Sequence, residues 1–268
     1  MCAAANEPHA RSDGETATTS TPTPPTSTAA TASAKKTLRS TLRAALRALP
    51  PDTLREESHR ITNHLIAQPH LTSAGRLGLY LSSPKLREVD THILLHHLLS
   101  TPTSRRGTAS PSVFLPRTTS PPTGQDPTMD LLRVDSLDDC VSTGPPLDLR
   151  EPTPFLPDGT TPREEARAGP LDVLLMPGLG FDVRGGRLGR GGGYYDAYVE
   201  SVVAQAAEKG WERPLFVGLA LSCQVLPEGE EVPMADHDRC VDVLVVPERI
   251  ILCSEKGRER WGGRAEES

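Results

Sequence analysis

Aromatic side chains are scarce in this sequence. They make up 4% of 268 residues, and the apolar set reaches only 36%, against roughly 45–50% in ordinary globular domains. A chain with so little to bury is not expected to fold throughout its length. No stretch approaches the ~18 uninterrupted apolar residues a membrane span requires, and the N-terminus has no apolar core of the secretory-signal kind. The five cysteines, Cys2, Cys140, Cys223, Cys240 and Cys253, are scattered, odd in number and free of any C-x-x-C pair, so neither a disulfide framework nor a zinc site is suggested, and a reducing compartment fits. Positive charge is not in excess either: 29 Lys and Arg against 35 Asp and Glu leave a net charge of −6, which counts against a general nucleic-acid or anionic-membrane binder. Any anion site must be local. Arginine is rare near the N-terminus, where Glu7, Asp13 and Glu15 accompany a single Arg11. Although residues 16–34 consist only of Thr, Ser, Ala and Pro, this favours the cytosol over a mitochondrial presequence.

Proline and glycine are plentiful instead, 26 and 22 residues, and both are poor material for helix and strand interiors. Residues 1–34 read as a disordered tail and 35–250 as one domain, with a Pro/Ser/Thr-rich insertion at about 100–127; residues 251–268 read as a charged, frayed tail. Leu38, Leu42, Leu46 and Leu49 recur at helical spacing, and Asp52 is placed to cap a second helix that Pro69 stops. Leu77–Leu81 reads as a buried strand, Asp90–Leu99 as a helix, Val113–Leu115 as a short strand inside the insertion, and Met129–Val134 as another strand. The stretch from Gly144 to Pro162 reads as an extended surface crossing. Val173–Met176, Leu215–Leu221 and Val241–Val246 are near-continuous apolar runs, the pattern of strands covered on both faces, and a helix from Tyr194 to about Glu208 separates the first two. The expected fold is a layered α/β domain: a mostly parallel sheet with helices on both faces.

Between Pro177 and Gly193, eight of seventeen residues are glycine, in a loop that joins a predicted strand to a predicted helix. Ligands bind in such places in open α/β sheets: amides without a Cβ can approach a phosphate closely, and the helix adds its positive end. Arg184, Arg187 and Arg190 supply formal charge. The spacing matches neither a Walker loop nor a dinucleotide fingerprint.

The wording of the segment is more specific than its composition. Leu171-Asp172-Val173-Leu174-Leu175-Met176-Pro177-Gly178-Leu179-Gly180-Phe181-Asp182, followed by Gly185-Gly186-Arg187-Leu188-Gly189-Arg190-Gly191-Gly192-Gly193-Tyr194-Tyr195-Asp196, resembles the signature of the 5-formyltetrahydrofolate cyclo-ligase family. Lys35-Lys36-Thr37-Leu38-Arg39 resembles that family's N-terminal basic helix, and Glu88-Val89-Asp90-Thr91 its substrate-side acidic turn. Phe114-Leu115-Pro116-Arg117, Met129 to Arg133, Arg163 to Ala166, and Val232 through Asp238 to Asp242 follow in family order.

The resemblance implies a C–N-bond-forming ligase that uses ATP and Mg2+ to cyclise 5-formyltetrahydrofolate and its polyglutamates; the expected state is a monomer, and the acidic balance argues against nucleic-acid or membrane partners. The resemblance implies that Lys35, Lys36, Thr37, Leu38, Arg39, Arg187, Leu188, Gly189, Arg190, Gly191, Gly192, Gly193, Tyr194 and Tyr195 surround ATP. Arg39, Leu81, Glu88, Arg190, Gly191, Gly192, Gly193 and Tyr194 would touch the folate, Arg190 and Arg187 would act catalytically, and Asp196 and Asp238 would hold the metal. Arg43 and Arg47 share a helix face with Arg39 and read as a solvated stripe, His237 as structural or solvent-facing, and neither Arg190 nor Glu88 as buried core. Gly192 replaces a lysine carried by some relatives. Two other readings stay open: a family member that has lost the reaction and serves as a binding module, RNA included, or an unrelated sugar-phosphate enzyme, which would rest on fold analogy alone.

Overall fold

The computed structural model describes residues 28–100, 111–119, 128–235 and 238–262. Helices α1 (Thr28–Ala48) and α2 (Pro51–Ile66) open the chain, followed by the single turn α3 (Pro69–Thr72), strand β1 (Arg76–Gly78) and helix α4 (His92–Ser100). Strands β2 (Ser112–Thr119) and β3 (Thr128–Val134) form a hairpin, and the short strands β4 (Cys140–Ser142) and β5 (Arg150–Pro152) form a second one. Then come β6 (Val173–Met176), the two-residue strands β7 (Gly180–Phe181) and β8 (Arg187–Leu188), α5 (Tyr194–Lys209), β9 (Leu215–Leu219), β10 (Val243–Val245), β11 (Ile250–Leu252) and α6 (Glu255–Trp261).

Seven strands form the main sheet in the order β11-β10-β9-β6-β1-β2-β3. Every pairing from β10 through β2 is parallel, and the edge strands β3 and β11 are antiparallel. Because side chains alternate across a strand, Val173, Leu175, Val217 and Val243 bury against Leu42, Leu46, Ile61 and Leu95 of α1, α2 and α4, whereas Leu174, Met176, Phe216 and Leu244 bury with Tyr198, Val199 and Val202 of α5. Helices therefore cover both faces of a single α/β domain. Each fully buried leucine or valine here contributes about 1.5–3 kcal/mol.

Five expectations need correction. Helix α1 begins at Thr28, before Lys35, and Thr31 is already buried; alanine and threonine without proline continue the helix backwards from the Leu38 stripe. Residues 1–27 of the expected tail lie outside the described residues. Pro50, not Asp52, occupies the cap position of α2, and Asp52 lies in the first turn. The strand inside the insertion is not short: β2 extends through Pro116 and Arg117 to Thr119 because β3 supplies a partner along its whole length. Residues 255–261 are not frayed but form α6, which carries the buried Trp261; residues 263–268 of the expected tail lie outside the described residues. The Gly144–Pro162 crossing also contains β5, which pairs with β4.

Strand order positions the polar residues. From β1 the sheet grows to β2 and β3 on one side, and from β6 it grows to β9 and β10 on the other. The β1/β6 boundary is thus the topological switch point, where loops leaving the carboxyl ends of neighbouring strands diverge and open a crevice. The acidic turn follows β1 and the glycine loop follows β6.

Candidate active site

The glycine loop is a braced structure. Its first part doubles back as the β7–β8 hairpin, and Asp182 holds the turn: Oδ1 accepts from the amides of Arg184 and Gly186 at 2.9 Å each, and Oδ2 from the amide of Val232 at 2.8 Å. Gln224, buried behind the loop, donates to the Gly178 carbonyl at 2.8 Å. Helix α1 packs directly on this backbone, so that a Cβ at Gly180 would lie 2.3 Å from Leu42 Cδ1. Gly193 stands at the N-cap of α5 with φ of 71°, a left-handed conformation that glycine adopts without steric cost.

Arg187 is buried at 5% exposure; its guanidinium pairs with Asp196 in the first turn of α5, donates to the Pro177 carbonyl at 3.1 Å, and lies 6.0 Å over the Tyr195 ring. Lys35, also buried, pairs with Asp238, which further accepts from the Ala235 amide at 2.6 Å. Arg190 Nε donates to Glu88 Oε1 at 3.1 Å and Nη2 to the Leu86 carbonyl, so this arginine joins the glycine loop to the acidic turn. Arg39 Nε donates to the Gly189 carbonyl at 2.9 Å and Arg43 Nη2 to that of Arg190 at 3.0 Å. Arg43 is therefore not merely part of a solvated stripe, while Arg47 is exposed.

Lys35, Arg39, Arg187, Arg190, Glu88, Asp196 and Asp238 thus form charged pairs and backbone anchors across α1, the acidic turn and the glycine loop. Leu81 is buried beside the turn, Leu188 belongs to the core, and Tyr194 is half-buried. Lys36, Thr37, Gly191, Gly192 and Gly193 are exposed. His237 lies outside the described residues. Two groups not singled out from sequence also bear on the site: Tyr80, whose hydroxyl donates to the Val89 carbonyl at 3.1 Å, and Asp182. Asp182 falls within the signature segment, but a carboxylate that accepts three amides is recognisable only once the hairpin is formed.

Glu88 is 8% exposed, contrary to the expectation that it lies outside the core. Burial raises its pKa, and the Arg190 guanidinium opposes that rise by charge and hydrogen bond. The Tyr195 phenol is pushed far above its usual range by burial first and then by the Glu88 charge, with Arg187 opposing. Its hydroxyl has no hydrogen-bond partner among the described residues. A carboxyl whose folded pKa is raised stabilises most below its unfolded value of about 4.5 and loses that contribution as pH rises through the folded value. The melting temperature of the parent minus that of Glu88→Gln should therefore fall as pH rises from about 4.5. A difference independent of pH in thermal melts would show that Glu88 titrates normally.

Asp196 and Asp238 are hard oxygen donors, each compensated by a cation, and no cluster of three or more metal-binding side chains occurs among the described residues. An ion held by two carboxylates must draw the rest of its shell from water and phosphate oxygens. Magnesium tolerates that arrangement, so the donor set fits it. Cavities of about 630 and 190 Å3 open elsewhere, one lined by Arg167, Ser201 and Gln205, the other by Asp172, Trp211 and Arg260. Neither includes the glycine loop, whose arginines Arg184, Arg187 and Arg190 pair with Glu231, Asp196 and Glu88 outside it.

Fold and site together define an α/β enzyme with its polar residues gathered at the sheet's switch point. The chain belongs to the 5-formyltetrahydrofolate cyclo-ligase family, whose model matches residues 31–247. It is 31% identical over 226 residues to the mitochondrial 5-formyltetrahydrofolate cyclo-ligase of Arabidopsis thaliana, covering 84% of this chain and 78% of that one. Against the Mus musculus 5-formyltetrahydrofolate cyclo-ligase it is 31% identical over 213 residues, 80% of this chain and 93% of the relative. The NMR structure of Aquifex aeolicus 5,10-methenyltetrahydrofolate synthetase superposes with a TM-score of 0.55 at 26% identity, covering 82% of this chain and 93% of that one. The protein is accordingly a ligase of folate one-carbon metabolism.

Proposed function

We propose that this chain converts 5-formyltetrahydrofolate to 5,10-methenyltetrahydrofolate with ATP and magnesium, releasing ADP and phosphate. The observation that carries this reading is the meeting of the glycine loop and the acidic turn at the β1/β6 boundary, with Arg190 bridging them. A formamide carbonyl on N5 is a weak electrophile. Its oxygen takes the γ-phosphoryl group of ATP, N10 attacks the activated carbon and loses its proton, and the C–O bond breaks to release phosphate. Phosphoryl transfer asks the protein for positioning and charge rather than a nucleophile.

In this reading the residues from Lys35 to Arg39 and from Arg187 to Tyr195 surround ATP, and Leu81 and Glu88 face the folate together with Arg39, Arg190 and the loop from Gly191 to Tyr194. Lys35 and Arg187, now paired with Asp238 and Asp196, are the cations that would turn to phosphate oxygens. Asp196 and Asp238 would hold the magnesium ion, which when bound neutralises phosphate charge. Arg190 carries its positive charge to the point where γ-phosphate and formyl oxygen meet, and Arg187 supports it from beneath the loop. Turnover followed at the methenyl absorption band, with ADP and phosphate followed by 31P NMR, should require ATP, the folate and a divalent metal together. Metal-independent turnover, or none with all three present, would overturn the reading. The same reading has the protein acting in the cytosol as a monomer, which fractionation and size-exclusion chromatography check.

A further inference from the structure

The acidic turn contains a contact that neither its motif nor the family resemblance points to. Arg87 lies between Leu86 and Glu88, and its φ of 50° places a residue with a side chain in the left-handed region. From there its guanidinium reaches the C-terminal end of α1, where Nε donates to the Leu46 carbonyl at 2.6 Å and Nη2 donates to the Leu49 carbonyl. The last carbonyls of a helix lack intrahelical donors, and Leu46 is a special case: the residue four positions on is Pro50, which has no N–H. Arg87 supplies that missing donor, and a cation is favoured at the negative end of the helix dipole.

The neighbours of Arg87 are the two groups that hold Arg190, namely the Leu86 carbonyl and the Glu88 carboxylate. Arg190 is in turn fixed at its own carbonyl by Arg43, one helical turn beyond Arg39, which holds Gly189. These hydrogen bonds close a ring: α1 grips the glycine loop, Arg190 of that loop grips the acidic turn, and Arg87 of the turn grips α1. In a closed ring no member shifts alone, so the height of the turn against the loop depends on Arg87.

We propose that Arg87 is a positioning residue of the site. By holding the carbonyls of Leu46 in the last turn of α1 and of Leu49 just beyond it, it sets Glu88 and the Leu86 carbonyl where they meet Arg190, and it acts on the folate side through Glu88 without touching substrate. This rests on the cyclo-ligase reading above, and the test separates the two. Steady-state kinetics of Arg87→Met should give a 5-formyltetrahydrofolate KM raised about tenfold, an ATP KM within about twofold of the parent and a kcat lowered no more than about threefold. Arg87→Lys, which can restore one bond but not the fork, should recover part of the loss. Placed on Glu88→Gln, Arg87→Met should raise the folate KM less than about twofold further, because the Glu88 carboxylate through which Arg87 acts on the folate is already gone. Should Arg87→Met unfold, Arg87→Gly, whose backbone adopts this φ freely, takes its place in every comparison.

Parental kinetics in Arg87→Met, an equal rise in both KM values, or an undiminished effect on the Glu88→Gln background would each overturn the proposal. If the parent itself did not turn over, the reaction assignment would fall instead. The same cycle would then be read as 5-formyltetrahydrofolate dissociation constants by calorimetry, with the same outcomes counting for or against Arg87.

Discussion

Replacing Arg190 with alanine is expected to lower kcat by about a hundredfold or more, because the proposed reaction puts its guanidinium where charge would move during phosphoryl transfer, an interaction that would strengthen in the transition state. The structure adds a second consequence. Arg190 is the cation beside Glu88, a carboxylate at 8% exposure, and removing it leaves that carboxylate buried without its ion-pair partner. Stripping one partner from a buried pair costs on the order of a few kcal/mol, part of which Glu88 recovers by taking up a proton. Arg190→Ala alone should therefore melt lower than the parent at neutral pH. Adding Glu88→Gln removes the stranded charge and should return the melting temperature towards the parent while leaving kcat about a hundredfold down. Stopped-flow or steady-state kinetics alongside thermal melts of the two variants check both halves. A near-parental kcat in Arg190→Ala would remove Arg190 from the chemistry. A double variant that regained activity as well as stability would mean that the arginine serves the fold alone.

Much of the architecture was legible in the sequence, for identifiable reasons. Strands covered on both faces must be apolar throughout, so β6, β9 and β10 stood out as runs of Val, Leu and Phe, and the Leu38–Leu49 stripe marked the buried side of α1. Eight glycines between a strand and a helix marked the loop. What stayed hidden depended on partners distant in the chain. Glu88 and Arg190 are 102 residues apart and Lys35 and Asp238 are 203 apart, and no local pattern declares that such charges neutralise each other. Arg43 looked solvated because helical spacing reveals which residues share a face, not that a loop carbonyl lies against that face. The length of β2 was hidden because Pro116 lacks a ladder donor and the Ser/Thr/Pro-rich composition of the insertion around it reads as loop. The strand runs next to the edge, where β3 pairs with it antiparallel.

Truncating Trp261 to alanine should destabilise the protein by about 3 kcal/mol, the usual range for a large buried aromatic, and so lower its melting temperature by roughly 6–12 °C. The charged residues after Cys253 suggest solvation, yet one side of α6 is anchored. Ser254 Oγ accepts from the Gly257 amide at 3.0 Å and donates to Asp242 Oδ1 at 2.6 Å, which starts the helix against β10. A Cβ at Gly257 would lie 2.2 Å from the Asp242 carbonyl oxygen, and only glycine allows that approach. Trp261 then lies at 4% exposure in the core layer that includes α1 and α2. The ion pairs of Lys256 and Arg260 with Glu212, both at 2.7 Å, decorate the same helix, but Glu212 is 63% exposed and such pairs contribute less than about 1 kcal/mol. Apolar burial, not charge, should therefore decide whether α6 stays docked, and Glu212→Gln should barely move the melting temperature. Trp261 Nε1 is buried without a hydrogen-bond partner among the described residues, so Trp261→Phe keeps most of the apolar surface while removing an unsatisfied donor. It should fall within about 1 kcal/mol of the parent in either direction. Thermal melts of the three variants rank these contributions. A Trp261→Ala midpoint within a degree or two of the parent would mean that α6 frays in solution as its charged composition suggests.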